Sequence, residues 1–352
     1  MEISTNFWKN KNVLITGHTG FKGTWLLLWL SSMGAKVSGY ALKPNKDQFF
    51  YKSICKEIKF KKNIYGDIKN KKKLDKAIKE IKPEIIIHLA AQALVGISYD
   101  DPLNNYHTNI NGTLNLLECV RKYKAIKVFL NITTDKCYQN TEKNISYIES
   151  DPLGGKDPYS SSKACSEIIT SAYYNSFLKE RVGVATARAG NVIGGGDWSK
   201  DRLIPDLIKT IKSKKKFIVR NPKATRPWQY VLEPLSGYIL LCENLYKRPT
   251  IYSEAWNFGP GEKCNISVDR VIKKVSEELG KKIELTYQKK VEYYESKLLM
   301  LDSSKASKKL GWKTKLDIDK SINMTISWYK VWIKKRNIFK YSIDQIEKYK
   351  QI

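Results

Sequence analysis

Cysteine, histidine and arginine are all scarce in this 352-residue chain, and each shortage removes a class of function. The six cysteines (Cys55, Cys119, Cys137, Cys165, Cys242, Cys264) are scattered and form no CxxC pair. A disulfide framework is therefore excluded, and reduced thiols in a cytoplasm are expected. Only His18, His88 and His107 are present and they do not cluster, so no metal centre is expected. No stretch reaches the ~20 apolar residues of a membrane span. Residues 1–11 lack the apolar centre of a signal peptide. Acidic residues are also few, 35 against 63 basic, which leaves a net charge of +28. Such a charge suggests nucleic acid, and a polynucleotide-binding protein on a borrowed scaffold is the reading from another class. Salt-sensitive retention on DNA without any bound dinucleotide would support it. The charge, however, is lysine dispersed in short runs such as Lys71-Lys72-Lys73 and Lys214-Lys215-Lys216, with no zinc finger or RNA-recognition signature. We read it as a solvated surface and expect no nucleic-acid partner. Against so little arginine, Arg188, Arg202 and Arg226 stand out, because a planar fork suits phosphate.

The hydrophobic fraction of 42% supports a packed core, and the length suits two domains that share an interface. Short apolar runs at 12–16, 36–40, 62–65, 85–89, 127–132 and 182–188 alternate with amphipathic stretches at 25–33, 72–81 and 112–122. That alternation predicts an α/β fold with a doubly wound parallel sheet covered on both faces. After Gly190 the rhythm changes: Gly, Trp and Pro crowd 194–198 and 226–228, and helices are expected over 203–212 and 267–279. A second, smaller α/β domain over 191–352 should close on the carboxyl edge of the sheet, with the chain free to cross between the two. The tail from Trp328 is amphipathic and carries no motif.

Gly17-His18-Thr19-Gly20-Phe21-Lys22-Gly23 follows the first apolar run directly. Gly17 permits a sharp turn, Gly20 lets backbone approach a pyrophosphate, and Gly23 lets the next helix pack on the strand. The position after the second strand that would carry an acid for the adenosine ribose reads Ala41-Leu42-Lys43. NAD and NADP are both compatible with this, with Lys43 able to face a phosphate. Asp67, beside Ile68 after the third strand, is placed either to accept from the adenine amino group or to cap the strand end. Ala90, Ala91 and Gln92 end the fourth strand with small residues where backbone would pass close to a cofactor.

Tyr159 and Lys163 are four apart, so on a helix they share a face, with Pro158 in the first turn and Asp157 as cap. A lysine beside a phenol lowers a pKa that starts near ~10 and makes the tyrosine a usable base. The same spacing recurs at Tyr65/Lys69, Tyr123/Lys127 and Tyr293/Lys297, so context decides. Tyr159 alone begins a helix downstream of a strand ending in Thr134-Asp135-Lys136. Thr134 can hydrogen-bond the hydroxyl that Tyr159 deprotonates. A plain dehydrogenase, 4-epimerase or reductase has no use for Asp135 and Lys136, and this surplus acid–base pair points to elimination.

These motifs resemble those of the extended short-chain dehydrogenase/reductases of Rossmann type, and within them the sugar-nucleotide 4,6-dehydratases. The likeness extends through 188–198, Arg226-Pro227-Trp228-Gln229 and Trp256-Asn257-Phe258-Gly259-Pro260, nearly the whole chain. Many such dehydratases carry Asp-Glu where this chain has Asp135-Lys136; the lysine resembles the branch acting on CDP-glucose. The resemblance implies an NAD-binding domain over 1–190 and a nucleotide-sugar-binding domain over 191–352. It implies a cofactor site of Gly17 to Gly23, Asp67, Ile68, Ala90, Ala91, Gln92, Tyr159 and Lys163. Gln92, Thr134, Asn191, Arg202 and Arg226 would hold the sugar nucleotide. Tyr159 would take the 4-hydroxyl proton, Lys136 the C5 proton, and Asp135 would protonate the departing 6-hydroxyl, in deoxysugar synthesis for surface polysaccharide. As a base, Lys136 would have to lose about three pKa units through burial and Lys163; a charged Lys136 that only stabilises the enolate is the other role open to it. The resemblance also implies a homodimer or homotetramer. Asn109 is expected to tie the central strands together rather than to act in catalysis. Nucleobase and exact sugar stay open.

Overall fold

The computed structural model describes residues 2–213, 216–287 and 298–352. Seven parallel strands form its main sheet: β1 (Asn12–Thr16), β2 (Lys36–Ala41), β3 (Lys62–Tyr65), β4 (Ile85–His88), β5 (Val128–Ile132), β6 (Gly183–Ala189) and β7 (Ala255–Phe258). Their order is β7-β6-β5-β4-β1-β2-β3, so the direction of winding reverses between β1 and β4. Ligands of such sheets lie outside the carboxyl ends at that switch point. Every strand from the sequence is present to within a residue, because β1, β4, β5 and β6 are apolar on both faces and buried throughout apart from Asn12. The register aligns the strand ends: Thr16 lies beside Tyr40 and His88, and His88 beside Asn131.

β7 joins this sheet from beyond Gly190, pairing Trp256 with Ala187 and Phe258 with Ala189. The helix Leu232–Lys247 also packs against β5 and β6, so the chain does cross back after leaving the first half. That helix is buried almost all round, which erases the amphipathic signal a sequence reading relies on. A three-stranded sheet (Asn191–Ile193, Thr225–Tyr230, Asn265–Ser267) stands over the carboxyl edge, and the helices Ile318–Ile333 and Ile338–Gln351 close the amphipathic tail.

A buried hydrogen-bond ladder crosses the sheet from β1 toward the helix Pro158–Tyr173. Thr16 Oγ1 lies 2.7 Å from His88 Nδ1, and His88 Nε2 lies 3.1 Å from Thr113 Oγ1, which donates to the Asn109 carbonyl. Because Thr113 spends its own hydrogen on Asn109, His88 is fixed as the neutral Nε2–H tautomer. Burial, then the charge of Lys163, drives its pKa from 6.5 down to about 3; burial takes His18 to about 4. Both rings stay neutral in the folded protein but protonate below about 6.5 once unfolded. Stability should therefore be full above about 6.5 and fall as pH drops toward 4, at ~1.4 kcal/mol per unit per histidine. Urea midpoints taken across that range check this; a flat profile would contradict it.

Candidate active site

Gly17 ends β1 with φ of +75°, a region other residues rarely adopt, and its N–H donates to the Tyr40 carbonyl at 2.9 Å. A Cβ there would stand 2.7 Å from the Ala90 amide nitrogen, which is how Ala90 comes to border the turn. A Cβ on Gly23 would stand 2.2 Å from the Gly17 carbonyl oxygen. Gly23 thus makes room for the turn itself rather than for packing of the helix on the strand. The helix Phe21–Ser32 begins at Gly20 without any side-chain cap, leaving its first amides for a ligand. Uncapped amides over a glycine cradle fit the pyrophosphate of a dinucleotide. Gly23→Ala should destabilise the protein by about 1–3 kcal/mol through overpacking. It should also abolish dinucleotide binding; thermal melts and a dinucleotide titration read both effects.

The other residues of the turn are not equivalent. The His18 ring is buried against Gly39, and its Nε2 bonds Asn63 Oδ1 at 2.9 Å, so only its backbone faces a ligand. Thr19 donates to the Leu42 carbonyl at 3.4 Å, and Phe21 reaches Gly194 in the second half. Asp67 accepts from the Lys69 amide at 2.9 Å and pairs with the Lys69 amine at 3.5 Å, the local cap that was its alternative reading. Its neighbour Ile68 is buried against Gly112. Gln92 folds its amide onto Leu94, accepting from the amide at 2.6 Å and donating to the carbonyl at 3.0 Å. Asn109 bonds the Gln92 backbone both ways and donates to Ser162 Oγ at 2.9 Å. It ties the strand-end loop to the helix Pro158–Tyr173, a structural role.

That helix starts as its sequence dictates: Asp157 caps the Ser160 amide at 2.9 Å and Pro158 fills the first turn. The Tyr159 amide is held by Ser98 Oγ at 3.2 Å. The competing Tyr-Lys spacings are elsewhere engaged. Tyr65 pairs with Tyr51 and Tyr123 with Asp75, while Tyr293/Lys297 lies outside the described residues. Thr134 acts on the Tyr159 phenol, lowering its pKa against burial, and its hydroxyl donates to Asp135 Oδ1 at 3.0 Å. The charge of Asp135 also reaches the phenol and helps to hold it protonated. A Cβ on Gly190 would sit 3.2 Å from Asp135 Oδ2, which brings the start of the strand Asn191–Ile193 to the same point.

The electrostatics correct one expectation. Burial pushes Tyr159 up to about 12 against the pull of Thr134 and Arg202, while the Lys163 ammonium donates to the Ile132 carbonyl at 2.9 Å. Burial instead takes Lys163 down to about 8. Lys22 falls to about 7, through burial and then the charges of Arg202 and Lys163. The sequence shows Lys22 only as a turn residue; no signal marked it as an amine facing Asp135. Burial likewise raises the Asp135 carboxyl, against the pull of Lys136, Thr134, Arg226 and Lys22. Lys136 itself is half-buried.

Arg226 is buried and donates to the Thr225 carbonyl at 2.9 Å, with its charge felt at Asp135. Arg202 is half-exposed, pairs with Asp197 at 3.4 Å, and its charge reaches Lys22 and Tyr159. Arg188 lies elsewhere, in a buried cluster one turn behind Lys163. It forks onto Glu167 at 2.8 and 3.0 Å, and Glu167 also accepts from Thr186 and Thr133. That cluster anchors the residue preceding Thr134 to the helix that carries Tyr159. Glu167 was missed, although its place four residues after Lys163 on the same helix face was a readable signal. Among the described residues no group of His, Cys, Asp and Glu could hold a metal ion, and no helix is long and apolar enough to cross a membrane.

A nucleotide cradle at the switch point, with a buried carboxyl whose charge reaches a phenol on the neighbouring helix, is the arrangement of a sugar-nucleotide-modifying short-chain dehydrogenase/reductase. Residues 14–325 match the family described as GDP-mannose 4,6 dehydratase, and the chain belongs to that family. It is 44% identical to the CDP-glucose 4,6-dehydratase of Salmonella typhimurium, over 99% of this chain and 98% of that one. In fold it resembles the dTDP-glucose 4,6-dehydratase of Bacillus anthracis in complex with NAD. That likeness has a TM-score of 0.76 at 24% identity, covering 94% of this chain and 99% of the other. It also resembles the UDP-glucuronic acid 4-epimerase of Bacillus cereus in complex with UDP-glucuronic acid and NAD. There the TM-score is 0.79 at 24% identity, over 91% and 99% of the two chains.

Proposed function

We propose that this protein is an NAD-dependent dehydratase that converts CDP-glucose to CDP-4-keto-6-deoxyglucose. The reading is carried by a buried Asp135 that accepts from Thr134 and whose charge reaches the Tyr159 phenol, in a chain 44% identical to a CDP-glucose 4,6-dehydratase. The residues of the glycine turn, with Ala90 and Lys163, would hold NAD, which when bound accepts the C4 hydride and returns it at C6. Thr134 orients the 4-hydroxyl and Tyr159 takes its proton. A phenol raised to about 12 needs positive charge beside it to do so, and within the chain the charge that reaches it is that of Arg202. The new C4 ketone acidifies C5–H, and Lys136 removes that proton. Asp135 then protonates the leaving 6-hydroxyl; a carboxyl raised by burial keeps its proton closer to neutral pH, as a general acid requires. Asn191, Arg202 and Arg226 grip the diphosphate, so that binding energy remote from the reacting carbons positions them.

NAD rather than NADP, a cytoplasmic location and a role in deoxysugar supply for surface polysaccharide belong to the same reading. So does a homodimer or homotetramer: Ile168 and Phe177 expose apolar surface on and just beyond the helix of Tyr159. The test is a panel of CDP-, dTDP-, UDP- and GDP-sugars incubated with NAD+, reading the near-ultraviolet absorbance that 4-keto-6-deoxy sugars develop in alkali. CDP-glucose should give it fastest. A C4 epimer with no ketone would overturn the dehydratase reading.

A further inference from the structure

Glu167 and Arg188 form an ion pair with each side chain 3% exposed, and no step of the proposed reaction uses it. A pair at this depth is weak evidence of stability in itself, because desolvation offsets the attraction. What the pair holds supplies another reason for it. Glu167 accepts from the hydroxyl of Thr133, the residue between β5 and Thr134. Arg188 donates from Nη1 to the Tyr138 hydroxyl at 2.6 Å, and its guanidinium lies 4.7 Å from the centre of that ring. Thr133 and Tyr138 flank the short helical turn Asp135–Cys137, which Thr134 caps. One ion pair thus holds both ends of the segment that carries Thr134, Asp135 and Lys136. Glu167 itself stands on the helix Pro158–Tyr173, one turn after Lys163 and two after Tyr159. Both its oxygens are fully engaged, Oε1 by Thr133 and Arg188 Nε, Oε2 by Thr186 and Arg188 Nη2. On the other side Tyr138 donates to Asn257 Oδ1 at 2.8 Å, and Asn257 pairs with Arg188 across β6 and β7. A buried network with every member bonded is rigid.

We propose that Glu167 and Arg188 are positioning residues, a clamp that fixes the Thr134–Lys136 segment at both ends against the helix bearing Tyr159. They act through Thr133 and Tyr138, not on the sugar. The inference rests on the dehydratase reading, in which the phenol and the acid–base pair must address one hexose in turn. Loosening either end of the segment should then cost turnover, while the grip on the nucleotide, supplied by Asn191, Arg202 and Arg226, is kept.

The test deletes single hydroxyls and leaves the ion pair in place, in the full chain with CDP-glucose and NAD+. Thr133→Val and Tyr138→Phe each free one end of the segment. Thr186→Val is the control: it removes an equivalent hydroxyl from Glu167, but on β6 and away from the segment. Valine and phenylalanine keep the buried volume, so all three variants should fold. Thr133→Val and Tyr138→Phe should each lower kcat by about 10- to 100-fold, the cost of reacting groups displaced by a fraction of an ångström. Their KM should stay within about twofold of wild type. Thr186→Val should lower the melting temperature as much as Thr133→Val and yet keep kcat within about twofold. A kcat in either segment variant no lower than that of Thr186→Val would overturn the proposal. So would a rise in KM that accounts for the whole loss of kcat/KM. A wild-type protein that forms no ketone from CDP-glucose would overturn the dehydratase reading itself, which separates the two failures.

Discussion

Replacing Tyr159 with phenylalanine should lower turnover of CDP-glucose by about 10²–10⁴-fold, the usual contribution of a positioned general base. The phenol is the group of that helix on which Thr134 and Asp135 act, and Lys163 is tied to the Ile132 carbonyl. Nothing else on that helix can take the 4-hydroxyl proton. Both halves of the reaction should fail together, since no ketone forms to acidify C5. Steady-state rates, with C5 exchange into deuterated water as a second readout, check this. Substantial turnover or exchange in Tyr159→Phe would place the base elsewhere. The fold should survive, because phenylalanine fills the same buried volume and the start of the helix is set by Asp157 and Ser98.

Asp135→Asn should divide the reaction instead of abolishing it. Asparagine keeps the size of the side chain and can still accept from Thr134, but has no proton to give the leaving hydroxyl. C4 oxidation should persist and product formation should drop by about 10²–10⁴-fold. NMR of the quenched sugar would then show a ketone at C4 with the 6-hydroxyl still in place. Loss of C4 oxidation to the same degree as product would instead give Asp135 a general electrostatic role. The variant should also be no less stable near neutral pH, because burial disfavours the carboxylate it removes. That benefit is largest above the raised folded pKa and disappears as pH falls below about 3.9, where the unfolded carboxyl is protonated too.

The first half of the fold was legible because each element announces itself locally. β1, β4 and β5 are short apolar runs, Gly17 needs a positive φ, and Asp157-Pro158 writes the start of a helix. The second half was less so. The helix Leu232–Lys247 is buried on nearly every side, and β7 joins the main sheet from far along the chain. Neither fact has a local period to betray it. In the site, the residue types were readable but their charges were not. Four-residue spacing suggested that Lys163 would depress the Tyr159 phenol; the Ile132 carbonyl, remote in sequence, captures that ammonium instead. Burial then outweighs the neighbouring charges at Tyr159, Lys163, Lys22 and Asp135. Depth comes from packing of both halves over the carboxyl edge, which spacing along one segment does not encode.

The fate of the C4 hydrogen distinguishes elimination with internal return from epimerisation or simple oxidation. CDP-glucose carrying deuterium at C4, incubated with the protein and NAD+, should give CDP-4-keto-6-deoxyglucose with that deuterium on C6. Deuterium kept at C4 with inverted configuration, or released from the sugar altogether, would contradict the assignment of Tyr159, Asp135 and Lys136 to one dehydration on one hexose.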